Sequence, residues 1–129
     1  MEGKTAVRTE EAPAPFQGAP YSQAIKAGGF VFVSGQLALR PDHAEIVGDS
    51  IGEQTEQVFA NLRAILEAAG SGLDRVVKTT VYLADLGDFA GMNEVYARHV
   101  GDVPPARATV EVSALPSGAK VEIEAVATL

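Results

Sequence analysis

Apolar residues along this chain fall into short β-branched or aromatic runs and into two stretches with helical spacing. Ser22 to Ala27 reads as a strand, and Gly28-Gly29 as the hairpin turn leading to Phe30-Val31-Phe32-Val33. That second run has no polar alternation, which marks a strand apolar on both faces. Gly35 breaks it, and Arg40-Pro41-Asp42-His43 forms the next turn. Ser50 and Glu53 carry the spacing of a capping box. Behind them Ile51, Thr55, Val58, Leu62, Ile65, Leu66 and Ala69 recur at three- and four-residue steps, one face of an amphipathic helix that Gly70 ends. Arg75 to Leu83 is a strand in which Val77, Val81 and Leu83 point one way and Val76 and Tyr82 the other. Asp88 is placed to cap a second helix with the stripe Phe89, Met92, Val95, Tyr96 and Val100. Gly101 ends that helix, and Pro104-Pro105 prevents its resumption. Strands at about 107–112 and 120–127 close the chain.

Residues 1–14 are polar, acidic and rich in Pro and Ala. They form a lead-in with a short edge strand near Ala6-Val7-Arg8, joined through a turn at Gln17–Pro20 to a single domain over 15–129. Two helices cover one face of a sheet of this size but not both. The other face, partly apolar, is a partner surface, and self-association covers it most economically. The expectation is an α+β fold: a mixed sheet with two helices on one face, assembled as a homo-oligomer.

Composition narrows the function. The chain has 129 residues, 47% hydrophobic and 21% charged, as in an ordinary globular domain. It holds no cysteine, so no disulfide, thiolate metal site or cysteine nucleophile, which fits a cytoplasmic protein. The net charge of −7 argues against nucleic acid. No apolar run reaches membrane-span length, and Met1–Thr5 carries no secretory pattern. His43 and His99 stand far apart, outside any metal-ligand spacing.

The candidate chemistry lies near the C-terminus, in Pro104-Pro105-Ala106-Arg107-Ala108-Thr109-Val110 followed by Val121-Glu122-Ile123. Arginine grips a carboxylate with two parallel hydrogen bonds, and a glutamate nearby can handle the protons of a water molecule. Alternation sets Arg107, Thr109 and Glu111 on one face and Ala108, Val110 and Val112 on the other. If the valines meet the helices, Arg107 and Glu122 share the open face, where a neighbouring subunit closes a pocket over them. Taken singly, such an arginine is more often a surface ion-pair residue, and such a glutamate a solvated strand position.

Several motifs together resemble the Rid family, the reactive intermediate deaminases. They are Pro20-Tyr21-Ser22-Gln23-Ala24, Val31-Phe32-Val33-Ser34-Gly35-Gln36, Gln54-Thr55-Glu56-Gln57 with Asn61-Leu62, Asn93-Glu94-Val95-Tyr96, and the Arg107 and Glu122 segments. They run collinearly from about residue 15 to the end. The resemblance implies a chorismate-mutase-like fold in a homotrimer whose sheets form a central barrel, with sites in the clefts between subunits. It implies hydrolysis of 2-imino or enamine acids, such as 2-aminoacrylate, to 2-keto acids and ammonia, without cofactor or metal. Arg107 would bind the substrate carboxylate and Glu122 would position and help activate water. Tyr21, Ser34, Gly35, Asn93 and Thr109 would line the pocket.

The chain departs from the family's usual pattern in three places. Thr109 stands where many members have cysteine, Ala19 is inserted between Gly18 and Pro20, and the lead-in is longer. Three other readings stand beside the deaminase. They are a pathway-specific aminoacrylate or aminomuconate deaminase, a non-enzymatic carboxylate sensor or chaperone-like trimer, and an RNA-cleaving relative that the acidic charge disfavours.

Overall fold

A computed structural model describes residues 3–42 and 45–129; His43, the last residue of the predicted Arg40–His43 turn, lies outside them. The strands are β1 (Thr5–Val7), β2 (Ala24–Ala27), β3 (Phe30–Gln36), β4 (Val76–Leu83), β5 (Ala106–Glu111) and β6 (Val121–Thr128). The helices are α1 (Ile51–Ala68) and α2 (Phe89–His99). Among the described residues, the strands form one six-stranded sheet in the order β1-β2-β3-β6-β4-β5. All neighbours pair antiparallel except β4 with β5, which run parallel and are joined through α2. The chain is α+β, with an open mixed sheet and two helices.

The helices form where caps and stripes predict them. In α1 the Glu53 amide donates to Ser50 Oγ (3.1 Å) and the Ser50 amide donates back to Glu53 Oε1 (3.2 Å), a complete capping box. Gly70, at φ +86°, takes the left-handed turn that follows the helix. Asp88 occupies the N-cap of α2 but makes no side-chain capping bond; the Asp85 carboxylate instead accepts from the Gly87 amide (2.8 Å) in the turn before it. The hairpin between β2 and β3 turns through Gly28 and Gly29, both at positive φ. β2 starts two residues later than the expected strand; the Ser22 carbonyl there accepts from Ser34 Oγ, and the Gln23 side chain donates to the Ala12 carbonyl.

One sheet face meets the helices. Val31, Val33, Val81, Leu83, Val121, Ile123, Ala125 and Ala127 pack there against Val58, Phe59, Leu62, Ile65, Leu66 and Met92. Each fully buried Val, Leu, Ile, Phe or Met among them contributes about 1.5–3 kcal/mol. The opposite face carries exposed Phe30 and Phe32, whose ring centroids lie 6.4 Å apart.

Two bulges change the phase of the strands. Val76 pairs with Ala127 and Lys78 with Val126, so Val77 has no partner of its own. Val76 therefore joins the core side and Val77 is exposed, the reverse of the expected alternation. The second bulge, between Val33 and Gln36, carries β3 past Gly35 rather than ending it there.

The face assignment of β5 is also corrected. Arg107 pairs with Thr79, Thr109 with Val81 and Val110 with Tyr82. Thr79 and Val81 are buried on the helix side, so Arg107 and Thr109 lie on that side and Val110 is exposed on the other. The expectation followed valine hydrophobicity. On this edge strand, the helix-side position of Arg107 meets Asn93 of α2 instead.

Candidate active site

Arg107 stands at the start of β5, beneath α2. Its Nη1 donates to Asn93 Oδ1 at 2.7 Å. The guanidinium carbon sits 4.7 Å from the centroid of the Tyr96 ring and 5.5 Å from that of Phe89. Phe89, Asn93 and Tyr96 are spaced by four and then three residues, so one helical face presents all three to the arginine. Among the described residues, no carboxylate forms an ion pair with Arg107. A half-buried cation held by a neutral amide and aromatic faces keeps its charge available to an anion. Thr109, two residues on, faces the same side; its Oγ1 is buried and has no hydrogen-bond partner among the described residues.

Glu122 lies on the other face. It pairs with Tyr82 across β4–β6, whereas Thr79, the partner of Arg107, points to the helix side. The Glu122 carboxylate lies across Gly35 so closely that a β-carbon there would collide with Oε2 and Cδ. Glycine at the bulge is what makes room for the acid. Burial pushes the Glu122 carboxyl above the ordinary value of 4.5, and the nearby Glu124 carboxylate raises it further. Next to Gly35, Ser34 Oγ donates to the Ser22 carbonyl (2.6 Å) and the Ser34 amide to the Gln23 carbonyl (2.9 Å). Tyr21 is half exposed beside this tie, its hydroxyl accepting from the Phe16 amide (2.7 Å).

The predicted site residues thus form two groups. Arg107, Asn93 and Thr109 gather at the β5 edge under α2; Tyr21, Ser34, Gly35 and Glu122 gather around the β3 bulge. Within one chain the two groups face opposite sides of the sheet. Sequence reasoning missed Tyr96, Phe89 and Thr79 as neighbours of the arginine. The helical spacing of Phe89, Asn93 and Tyr96 is visible in the sequence, but the same spacing places both aromatics in the apolar stripe of the helix. Among the described residues, no three His, Asp or Glu side chains gather into a metal-binding group, and no helix is long and apolar enough to cross a membrane.

The sequence model of the family described as Endoribonuclease L-PSP matches residues 9–129. A RutC family protein of Pyrococcus horikoshii is 55% identical over 124 residues, covering 96% of this chain and 97% of its own length. Reactive Intermediate Deaminase A of the Arabidopsis thaliana chloroplast is 52% identical over 126 residues, 98% of this chain and 66% of that protein. Among solved structures, Escherichia coli TdcF with bound serine superposes with a TM-score of 0.88 at 37% identity, covering 97% of this chain and 98% of that one.

Proposed function

The chain belongs to the Endoribonuclease L-PSP family, which includes the Rid proteins, and on that premise we propose that it hydrolyses 2-imino and enamine acids to 2-keto acids and ammonia. The observation that carries the reading is Arg107, a guanidinium fixed by Asn93 and Tyr96 with no carboxylate among the described residues to neutralise it. A small anion completes such a site. Serine, an amino acid with a carboxylate, is bound in the TdcF structure.

The chemistry follows from the two groups. An enamine tautomerises to the imine, whose C2 is electrophilic. Arg107 holds the carboxylate and so fixes C2; orientation of this kind is worth several kcal/mol. Glu122 takes a proton from water as the oxygen adds to C2. It returns the proton to nitrogen, and the carbinolamine collapses to the keto acid and ammonia. A carboxyl raised toward neutrality suits a group that must accept and then give up a proton. The reaction needs no cofactor, metal or covalent intermediate, so Thr109 in place of a cysteine does not impede it.

Both groups act on one molecule only if a second copy brings them together. In the proposed homotrimer, the open faces meet through Phe30, Phe32 and Val110 and form the central barrel. The Arg107 edge of one subunit then closes over the Glu122 bulge of the next. Residues 15–129 form the catalytic unit, with 1–14 as lead-in, in a cytoplasmic enzyme. The RNA cleavage named in the family description finds little support in a chain of net charge −7.

The test uses imines made from several amino acids by an amino-acid oxidase and trapped as semicarbazones. The protein should suppress the semicarbazone signal; Arg107→Ala should not, and Glu122→Ala should do so only weakly. A wild-type protein that leaves the signal unchanged would favour a carboxylate sensor instead.

A further inference from the structure

Arg107 lies over a ring that is itself held by a buried hydroxyl pair. The Tyr96 hydroxyl and Thr79 Oγ1 lie 2.6 Å apart, both buried. Thr79 is the residue paired with Arg107 across the parallel β4–β5 ladder. The Tyr96 ring also packs edge-on against Phe59, with centroids 5.5 Å apart at 80°. It is therefore anchored from three directions: its helix backbone, the Thr79 hydroxyl and the Phe59 ring. The guanidinium lies over this anchored ring, its carbon 4.7 Å from the centroid. Phe89 is farther, at 5.5 Å, and is substantially exposed. Asn93 supplies a single hydrogen bond. The Tyr96 ring is the nearer of the two aromatic contacts of the fork, and Thr79 is the hydroxyl that holds that ring.

We propose that Thr79 and Tyr96 are positioning residues for the carboxylate clamp: their buried hydroxyl bond fixes the ring on which Arg107 stacks, and so the direction in which its two donors point. The inference rests on the deaminase reading for its substrate, but the claim about geometry concerns binding of any 2-oxo or 2-imino carboxylate. A bidentate grip needs the fork within a narrow range of angles, which makes ring orientation a determinant of carboxylate affinity.

Turnover of a 2-imino acid and binding of a 2-oxo acid are measured on the intact oligomer for wild type, Tyr96→Phe, Thr79→Val and Thr79→Ser, with thermal midpoints alongside. Tyr96→Phe and Thr79→Val should each raise KM and the 2-oxo acid Kd by about fivefold, the size of a weakened cation–aromatic contact, with kcat within about twofold. Thr79→Ser, which keeps the hydroxyl, should restore both constants. Lower thermal midpoints with KM and Kd unchanged would overturn the proposal and leave the bond a purely structural one. Wild-type protein that binds the 2-oxo acid but turns nothing over would refute the deaminase reading while the Kd series still decides this one. Protein that neither binds nor turns over would overturn both.

Discussion

The carboxylate of Glu122 and the α-carbon of Gly35 are packed so closely that no side chain fits between them. The bulge in β3 brings the glycine there, and the acid is held against bare backbone at the edge of the predicted pocket. Gly35 has no positive φ, so its requirement comes from this approach and not from backbone strain. Gly35→Ala should displace the Glu122 side chain, because a flexible carboxylate yields more easily than a strand. Imine hydrolysis should then fall about tenfold or more, with a stability loss of about 1 kcal/mol or less. Activity and urea denaturation of the same preparation check this; loss of fold in step with loss of activity would mean that the glycine serves the sheet alone.

The raised carboxyl of Glu122 makes a pH prediction for stability. A group whose folded pKa lies above its unfolded one favours the folded state at low pH, and that contribution is lost as pH rises through the folded pKa. The ionised acid is thus a burden at neutral pH, caused first by burial and then by Glu124. Glu122→Gln should melt higher than wild type near neutral pH. The difference should shrink as pH falls toward 4.5, the ordinary value for the group. Thermal melts at several pH values measure it, and a difference independent of pH would refute the cause given. On the deaminase reading, the acid is kept for its chemistry at a cost in stability.

Much of this fold is legible in the sequence. The capping box of Ser50 and Glu53, the stripe of α1 and the hairpin glycines all act locally, and local signals survive in the chain. The helix-side positions Val31 and Val33 follow from strand alternation. What the chain hides is any shift of phase that depends on a partner strand. The bulge at Val77 reverses the expected faces at the start of β4, and nothing within Arg75–Leu83 signals it. β5 misled for another reason. Apolar character alone places Val110 in the core, yet it lies on the open sheet face, while the polar Arg107 and Thr109 turn toward α2. The candidate site residues are proposed from the family resemblance, and their division between two faces is not legible in the chain, since it needs the β4 register to both β5 and β6.

The exposed face has a testable consequence for assembly. Phe30 and Phe32 are 40% and 47% exposed in the single chain, and Val110 is 42% exposed, apolar side chains that the proposed assembly would cover. Phe32→Glu should dissociate the assembly toward the 13.4 kDa chain and abolish hydrolysis while leaving the helix-side core intact. Light scattering gives the mass and circular dichroism the fold. A fully assembled, active Phe32→Glu protein would mean that the subunits meet elsewhere.

The account turns on Arg107 of one copy and Glu122 of another serving the same substrate. Arg107→Ala and Glu122→Ala chains carrying different affinity tags are co-expressed, and only assemblies holding both tags are purified and assayed. In a three-membered ring that contains both variants, one interface of the three pairs the intact arginine with the intact glutamate, so about one third of wild-type activity should return. Hybrids as inactive as the two parent variants would contradict the account.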